Sequence, residues 1–234
     1  MKTDYLLLAV LTATFGFILW YYASATLRLP RTYQIQFDIN VPFMNRYLRS
    51  RDLMFVLFAL VPYVLIAVWK VIGDVTLTDL GISFIWNGRS SLWITVSIPL
   101  IVLYNLFTGK SDANLTEYPE IRVTRWTARV LLLSACTWAL QIFALEFLFR
   151  GLLLQSIGNY VGTPISILLC TGIYSLTQYF RSNRDFLFSI PYSLLACYIV
   201  IDADSLLPVM VIHLADALSK EWFSVWRHPE IRTA

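Results

Sequence analysis

Three ionisable side chains, Glu146, Arg150 and His213, stand inside long apolar stretches of this sequence. Charged groups are costly to place in an apolar helix, so each of them marks a candidate functional position. A carboxylate in an apolar cavity can act as a general base, and fixed donors in a dry site stabilise developing negative charge. These residue types therefore indicate acid–base chemistry in a water-poor environment.

The spacing of Glu146 and Arg150 puts both side chains on one helix face, because they are four residues apart. A paired carboxylate and guanidinium are less costly to bury than either ion alone. Two interpretations stay open at this point. The pair either locks its helix against neighbouring helices or takes part in catalysis.

Three further polar side chains accompany these positions. His213 is one of only two histidines, and Asp216 follows it on the same helix face. Gln178 lies one turn after Tyr174 near the end of another apolar stretch. Structural roles are the alternatives. His213 could be a hydrogen-bonded packing residue, and Gln178 could form a hydrogen bond between helices.

Other familiar chemistries have no support in the sequence. It contains no H-E-x-x-H, G-x-S-x-G or phosphate-loop motif. Two histidines are too few for an ordinary all-protein zinc site, and no cofactor can be assigned. The odd count and wide spacing of the cysteines favour small core hydrophobes over disulfides or a metal site: Cys136, Cys170 and Cys197.

The composition indicates an integral membrane protein. Hydrophobic residues make up 58% of the 234 residues and charged residues 14%, against about 45–50% and about 25% in soluble domains. Basic residues do not gather into one patch, so the net charge of +3 is no sign of nucleic-acid binding. Membrane lipids are the partner that the composition implies.

About seven transmembrane helices are predicted, since a helix needs about 20 mainly apolar residues to cross a bilayer. They form one all-α polytopic bundle over residues 1–234, with no linker or repeat to mark a second domain. The first span is predicted to stay uncleaved, because its apolar run is longer than a signal-peptide core. The predicted spans are Tyr5–Thr26, Leu53–Ile72, Leu92–Phe107, Val130–Gln155, Thr163–Phe180, Phe186–Ile201 and Leu206–Phe223.

The basic residues between these spans predict an orientation. Fourteen of the 18 lysines and arginines fall on one side of the membrane if all seven spans are counted. The positive-inside rule places that side in the cytoplasm. The amino terminus is then outside and the carboxyl terminus is cytoplasmic, and compact loops favour a bacterial inner membrane.

The EFLFRG segment, read with the two later helices, resembles the CPBP family of CAAX-type prenyl-protein proteases and bacteriocin-processing or immunity proteins. Its pattern is Glu-Glu-x-x-x-Arg-Gly, then Phe-x-x-x-His, then His-x-x-x-Asn or Asp. The resemblance covers about residues 120–225. The resemblance implies a helical bundle with a cavity for a lipidated or extended peptide. It also implies that a Glu and a His activate a water, and that the last His stabilises the oxyanion of the scissile carbonyl. The matching blocks here are Leu145-Glu146-x-x-x-Arg150-Gly151, Tyr174-x-x-x-Gln178 and His213-x-x-x-Ala217.

The departures from this pattern decide between two hypotheses. Leu145 has no proton chemistry, and Gln178 cannot act as a base near neutral pH. The sequence therefore favours a catalytically degenerate homologue that binds a membrane peptide, lipidated protein or partner. The alternative is an active endopeptidase in which Glu146 is the base, His213 steadies the oxyanion, Gln178 orients water or substrate, and Arg150, Tyr174 and Asp216 support them. A transporter is disfavoured because the first three spans carry few polar residues.

Overall fold

The computed structural model describes residues 6–25, 41–70, 83–109, 111, 115, 118–121, 123–179, 183–227 and 231–233. Over these residues the chain forms seven continuous helices, one for each predicted span, so the all-α prediction is confirmed. Three helices contain a π-helical turn. The helices are α1 (6–25, π-helical at Thr12–Gly16), α2 (41–70, π-helical at Val56–Leu60), α3 (Gly88–Thr108), α4 (Ala128–Val161, π-helical at Phe147–Leu153), α5 (Thr163–Tyr179), α6 (Asn183–Ala203) and α7 (Leu207–Arg227).

The helix boundaries follow from local chemistry. Asn87 caps α3 by accepting a hydrogen bond from the Ser90 amide at 2.8 Å, and Thr127 caps α4 in the same way. Gly162 separates α4 from α5 with a φ of 78°, a conformation that side chains with a Cβ rarely adopt. The long apolar stretch from residue 128 to 179 is thereby divided into two helices that fold back on each other.

The outer surface of the bundle suits a lipid environment. Leu100 and Phe107 of α3 expose 63% and 67% of their surface, a degree of apolar exposure that a soluble protein would have to avoid. The protein is an integral membrane protein. Among the described residues, four helical segments are long and apolar enough to cross a bilayer: Leu6–Ala23, Gly88–Thr108, Ala128–Val161 and Asp185–Ala203.

Helix α4 lies at the centre of the packing and contacts α2 and α7, while α5 packs on α6 and α7 also packs on α3. Its side chains at positions 134, 138, 142, 146 and 150 are four residues apart and form one ridge. This ridge meets α7 along an antiparallel seam. From one end to the other, the seam joins Glu146 to His213, Ile142 to Ala217 and Ser134 to Glu221.

A second buried charged cluster closes the other end of this seam. The Arg51 guanidinium of α2 donates to Glu120 Oε2 at 2.6 Å and to Thr137 Oγ1 at 3.0 Å. It also lies 4.0 Å from the centre of the Trp138 ring. Glu221 of α7, completely buried, accepts from the Glu120 amide at 3.1 Å. The cluster therefore ties the segment before α4 to three helices.

A short parallel pairing adds to the same end of the molecule. Strand β1 (Arg125–Trp126) pairs with β2 (Arg232–Thr233), two residues near the end of the chain. Trp126 is completely buried there and packs with Leu48, Ile121 and Val225. This contact links the segment that precedes α4 to the residues that follow α7.

Candidate functional site

Glu146 occupies the middle of the α4–α7 seam and is completely buried. Its Oε1 lies 2.6 Å from His213 Nδ1 and accepts a hydrogen bond from the Tyr192 hydroxyl at 3.2 Å. Its Oε2 lies 3.4 Å from Arg150 Nη1. One carboxylate from α4 therefore joins side chains of α6 and α7 and its own helix.

The His213 ring contacts Glu146 through one of its two nitrogens, Nδ1. Because Nδ1 faces the Glu146 carboxylate, which can only accept, we assign the proton to Nδ1, and Nε2 is the ring nitrogen left for other partners. Within the described chain, no hydrogen bond reaches Nε2, and the side chain is 16% exposed. His213 is thus the member of the group that is open to its surroundings.

Arg150 forms the ion pair with Glu146 that the four-residue spacing predicted. Its guanidinium carbon lies 4.2 Å from the centre of the Tyr174 ring and 5.6 Å from that of Tyr192. It is completely buried, and its three nitrogens donate no hydrogen bond to the described residues. Cation–π contacts and the carboxylate are therefore what balance this charge.

Tyr192 belongs to the site although sequence reasoning did not select it. Its hydroxyl binds Glu146, and its ring meets the His213 ring edge-on with centroids 5.1 Å apart. A tyrosine in an apolar span is common and carries no charge, so its type alone gave no signal. Its position after Pro191, inside α6, was the only local peculiarity.

The π-helical turn Phe147–Leu153 begins directly after Glu146 and contains Arg150. Such wide turns interrupt α-helices mostly as single turns and are frequent at functional sites. All seven residues of the turn are buried. The apolar pattern of α4 predicted a regular helix here, because periodicity does not distinguish one wide turn from its neighbours.

Gln178 forms its hydrogen bond within its own helix. Its amide nitrogen donates to the hydroxyl of the neighbouring Thr177 at 3.2 Å. No hydrogen bond between Gln178 and either Glu146 or His213 is present among the described residues. Glu146 and His213 therefore share a contact, and Tyr192 is the third side chain that binds this carboxylate.

Asp216 forms its hydrogen bonds with Asn105 and Lys220 and none with His213 among the described residues. Its Oδ1 accepts from Asn105 of α3 at 2.9 Å, and its Oδ2 accepts from Lys220 at 2.6 Å. Ala217, where the family pattern has Asn or Asp, lies in an apolar cluster with Trp138 and Ile142. A polar side chain at 217 would enter this apolar contact between α4 and α7, whereas the small apolar side chain of alanine fits it.

The described residues include no group of three or more His, Cys, Asp or Glu side chains that could hold a metal ion. All three cysteines are free thiols. Cys170 and Cys197 are buried in the core, as expected for small hydrophobes, whereas Cys136 is exposed on α4. The expectation of burial is therefore wrong for Cys136, because an apolar span has a face turned to lipid as well as a packed face.

The part of the chain that contains this arrangement is similar to a known protein family. Residues 125–218 match the family model described as type II CAAX prenyl endopeptidase Rce1-like. This segment is similar to the CAAX protease family. It runs from β1 through α4, α5 and α6 into α7, and so contains Glu146, Arg150, Tyr192 and His213. No curated protein and no solved structure matches the chain.

Proposed function

We propose that this CAAX protease relative binds a lipidated or membrane-anchored peptide without cleaving it. The observation that carries the proposal is the state of Glu146. Its carboxylate is completely buried, Oε1 faces two donors and Oε2 faces Arg150. A carboxylate held in this way has no exposed face from which to activate a water.

The other family positions support the same proposal. Leu145 replaces the first acid, Gln178 bonds its neighbour Thr177, and Ala217 packs in an apolar cluster. General-base hydrolysis needs several titratable and donor groups held around one reacting carbonyl. In this chain the corresponding side chains either cannot transfer a proton or form their contacts away from Glu146.

An apolar groove between α2 and α4 is the place proposed for the ligand. Its volume of about 240 Å³ is below the roughly 300–1,000 Å³ of common small-molecule sites, so it suits part of a lipid chain. Hydrocarbon is the chemistry that its walls favour. The groove is lined by Phe55, Ala59, Leu60, Tyr63, Phe84, Phe143 and Phe147.

A photoreactive lipidated peptide tests this binding. We expect a farnesylated peptide with a diazirine in its lipid chain to label α2 and α4 of the purified protein, as mapped by mass spectrometry. Ala59→Phe should reduce labelling because it fills the groove, whereas Leu100→Phe on the exposed face of α3 should not. Equal labelling of the two variants would contradict the assignment.

One observation favours a second candidate, an active endopeptidase. The Glu146 carboxylate orients His213 through Nδ1 and leaves Nε2 as the nitrogen that could take a proton. Cleavage of a fluorogenic prenylated peptide by the wild-type protein, lost in both Glu146→Gln and His213→Gln, would establish this candidate. It would also overturn the non-hydrolytic proposal.

We further propose that the protein lies in a bacterial inner membrane with its amino terminus outside and its carboxyl terminus in the cytoplasm. The distribution of lysine and arginine between the helices supports this orientation. Reporter fusions at the two termini test it. A periplasmic signal from the carboxyl-terminal fusion would contradict it.

A further inference from the structure

Two of the three cysteines face each other across the interface between α5 and α6. Cys170 of α5 and Cys197 of α6 are completely buried, and their thiols are in hydrogen-bond contact. The two helices pack against each other along their length. The Tyr174 and Tyr192 rings meet in the same interface, with centroids 6.2 Å apart. The pair of thiols is therefore part of the packed core that adjoins Glu146.

The Cys170 thiol also contacts the π-helical turn of α4. Its S–H donates to the Phe149 carbonyl at 3.1 Å, and Phe149 belongs to the turn that contains Arg150. The charge of Arg150 interacts electrostatically with both thiols. The two sulfurs thus lie in surroundings that contain a buried cation as well as apolar side chains.

This combination distinguishes the pair from ordinary buried cysteines. A buried thiol in apolar surroundings is inert, whereas reactive thiols lie beside a cation and often beside a second thiol that resolves the first oxidation product. Cys136, in contrast, is exposed on α4 and contacts no other cysteine among the described residues. A disulfide has no charge and no hydrogen-bond donor, so the oxidised pair is also compatible with a dry core.

We propose that hydrogen peroxide oxidises Cys170 and Cys197 to a disulfide that joins α5 to α6. One thiol attacks a peroxide oxygen, which breaks the O–O bond and gives a sulfenic acid and one water. The second thiol attacks the sulfenic sulfur, and its proton leaves with the hydroxyl group as a second water. The two thiols together lose two electrons and two protons, and the peroxide is reduced to water.

The disulfide changes the contact between α5 and α4. Once the Cys170 sulfur is bonded to Cys197, it has no proton to donate to the Phe149 carbonyl. That carbonyl belongs to the turn whose Arg150 pairs with Glu146. The oxidation state of the thiols is thereby connected to the candidate site, and this connection does not depend on whether the protein cleaves peptides.

Peroxide treatment of the purified wild-type protein in lipid vesicles tests the proposal. The reaction is stopped with acid, the remaining thiols are alkylated in denatured protein, and unreduced peptides are identified by mass spectrometry. We expect a peptide pair that joins Cys170 to Cys197 and increases several-fold over untreated protein. Dithiothreitol should abolish it, because a disulfide is reducible. Absence of this peptide pair after peroxide treatment would overturn the proposal.

Single variants show whether contact between the thiols, rather than exposure, decides the product. Cys136→Ala should form the linked peptides as the wild type does, because Cys136 takes no part in the linkage. Cys170→Ala and Cys197→Ala should form no disulfide within the chain. A wild-type disulfide that includes the exposed Cys136 in place of either buried thiol would contradict the proposal, and this measurement does not depend on the folding of any variant.

Discussion

His213 lies against Glu146 with Nδ1 2.6 Å from Oε1, although 67 residues separate the two in the chain. The contact joins α4 to α7 at the centre of the bundle and leaves Nε2 as the outward nitrogen. The same carboxylate also faces Tyr192 and Arg150. A substitution at any of these positions should therefore change the energetic effect of substitutions at the others.

Glu146→Gln should destabilise the protein strongly. The substitution leaves the Arg150 guanidinium buried without a counterion, which costs about 3–5 kcal/mol of the free energy of unfolding. Thermal or denaturant unfolding in detergent measures the loss. The double variant Glu146→Gln/Arg150→Met should recover much of it, and a double variant no more stable than the single one would contradict the ion-pair account.

Tyr192→Phe should cost less, because it removes one hydrogen bond to Glu146 and keeps the ring. We expect a loss of about 1.5–3 kcal/mol, the usual range for a hydrogen bond to a charged group. Tyr198→Phe on the same helix is the control, since that ring is 52% exposed. Equal unfolding free energies for the two variants would remove Tyr192 from the site.

Arg51→Met tests the second charged cluster. Glu221 is completely buried beside Arg51 and Ser134, so removing the cation should cost about 3–5 kcal/mol through the uncompensated carboxylate. Arg49→Met serves as the control because Arg49 is exposed. The variants are compared by denaturant unfolding, and a neutral Arg51→Met would show that Glu221 is not held by this arginine.

Ala217→Asn restores the residue type of the family pattern and should nevertheless be harmful. The amide would enter the apolar contact of Ala217 with Trp138 and Ile142, and an unsatisfied buried polar group costs about 1–3 kcal/mol. Ala215→Asn, at a less buried position of α7, should be tolerated better. A stable Ala217→Asn protein would show that the seam can open at this point.

The helices could be read from the sequence because their causes are local. Apolar length sets each span, and Gly162 divides α4 from α5. The Glu146–Arg150 pair is also local, since a spacing of four residues brings two side chains together on any helix. The EFLFRG segment indicated the family from the sequence alone, because its residues are contiguous and lie on one helix.

The partners of these residues were decided by tertiary packing. Whether Glu146 meets His213 or Gln178 depends on how α5, α6 and α7 rotate against α4, and single-helix patterns do not fix that rotation. Packing brought His213 and Tyr192 to the carboxylate, left Gln178 with Thr177, and turned Asp216 toward Asn105. The sequence by itself determined which polar side chains lie within apolar helices. Only the tertiary structure decided which of them contact each other, because these contacts join different helices and depend on how the helices pack.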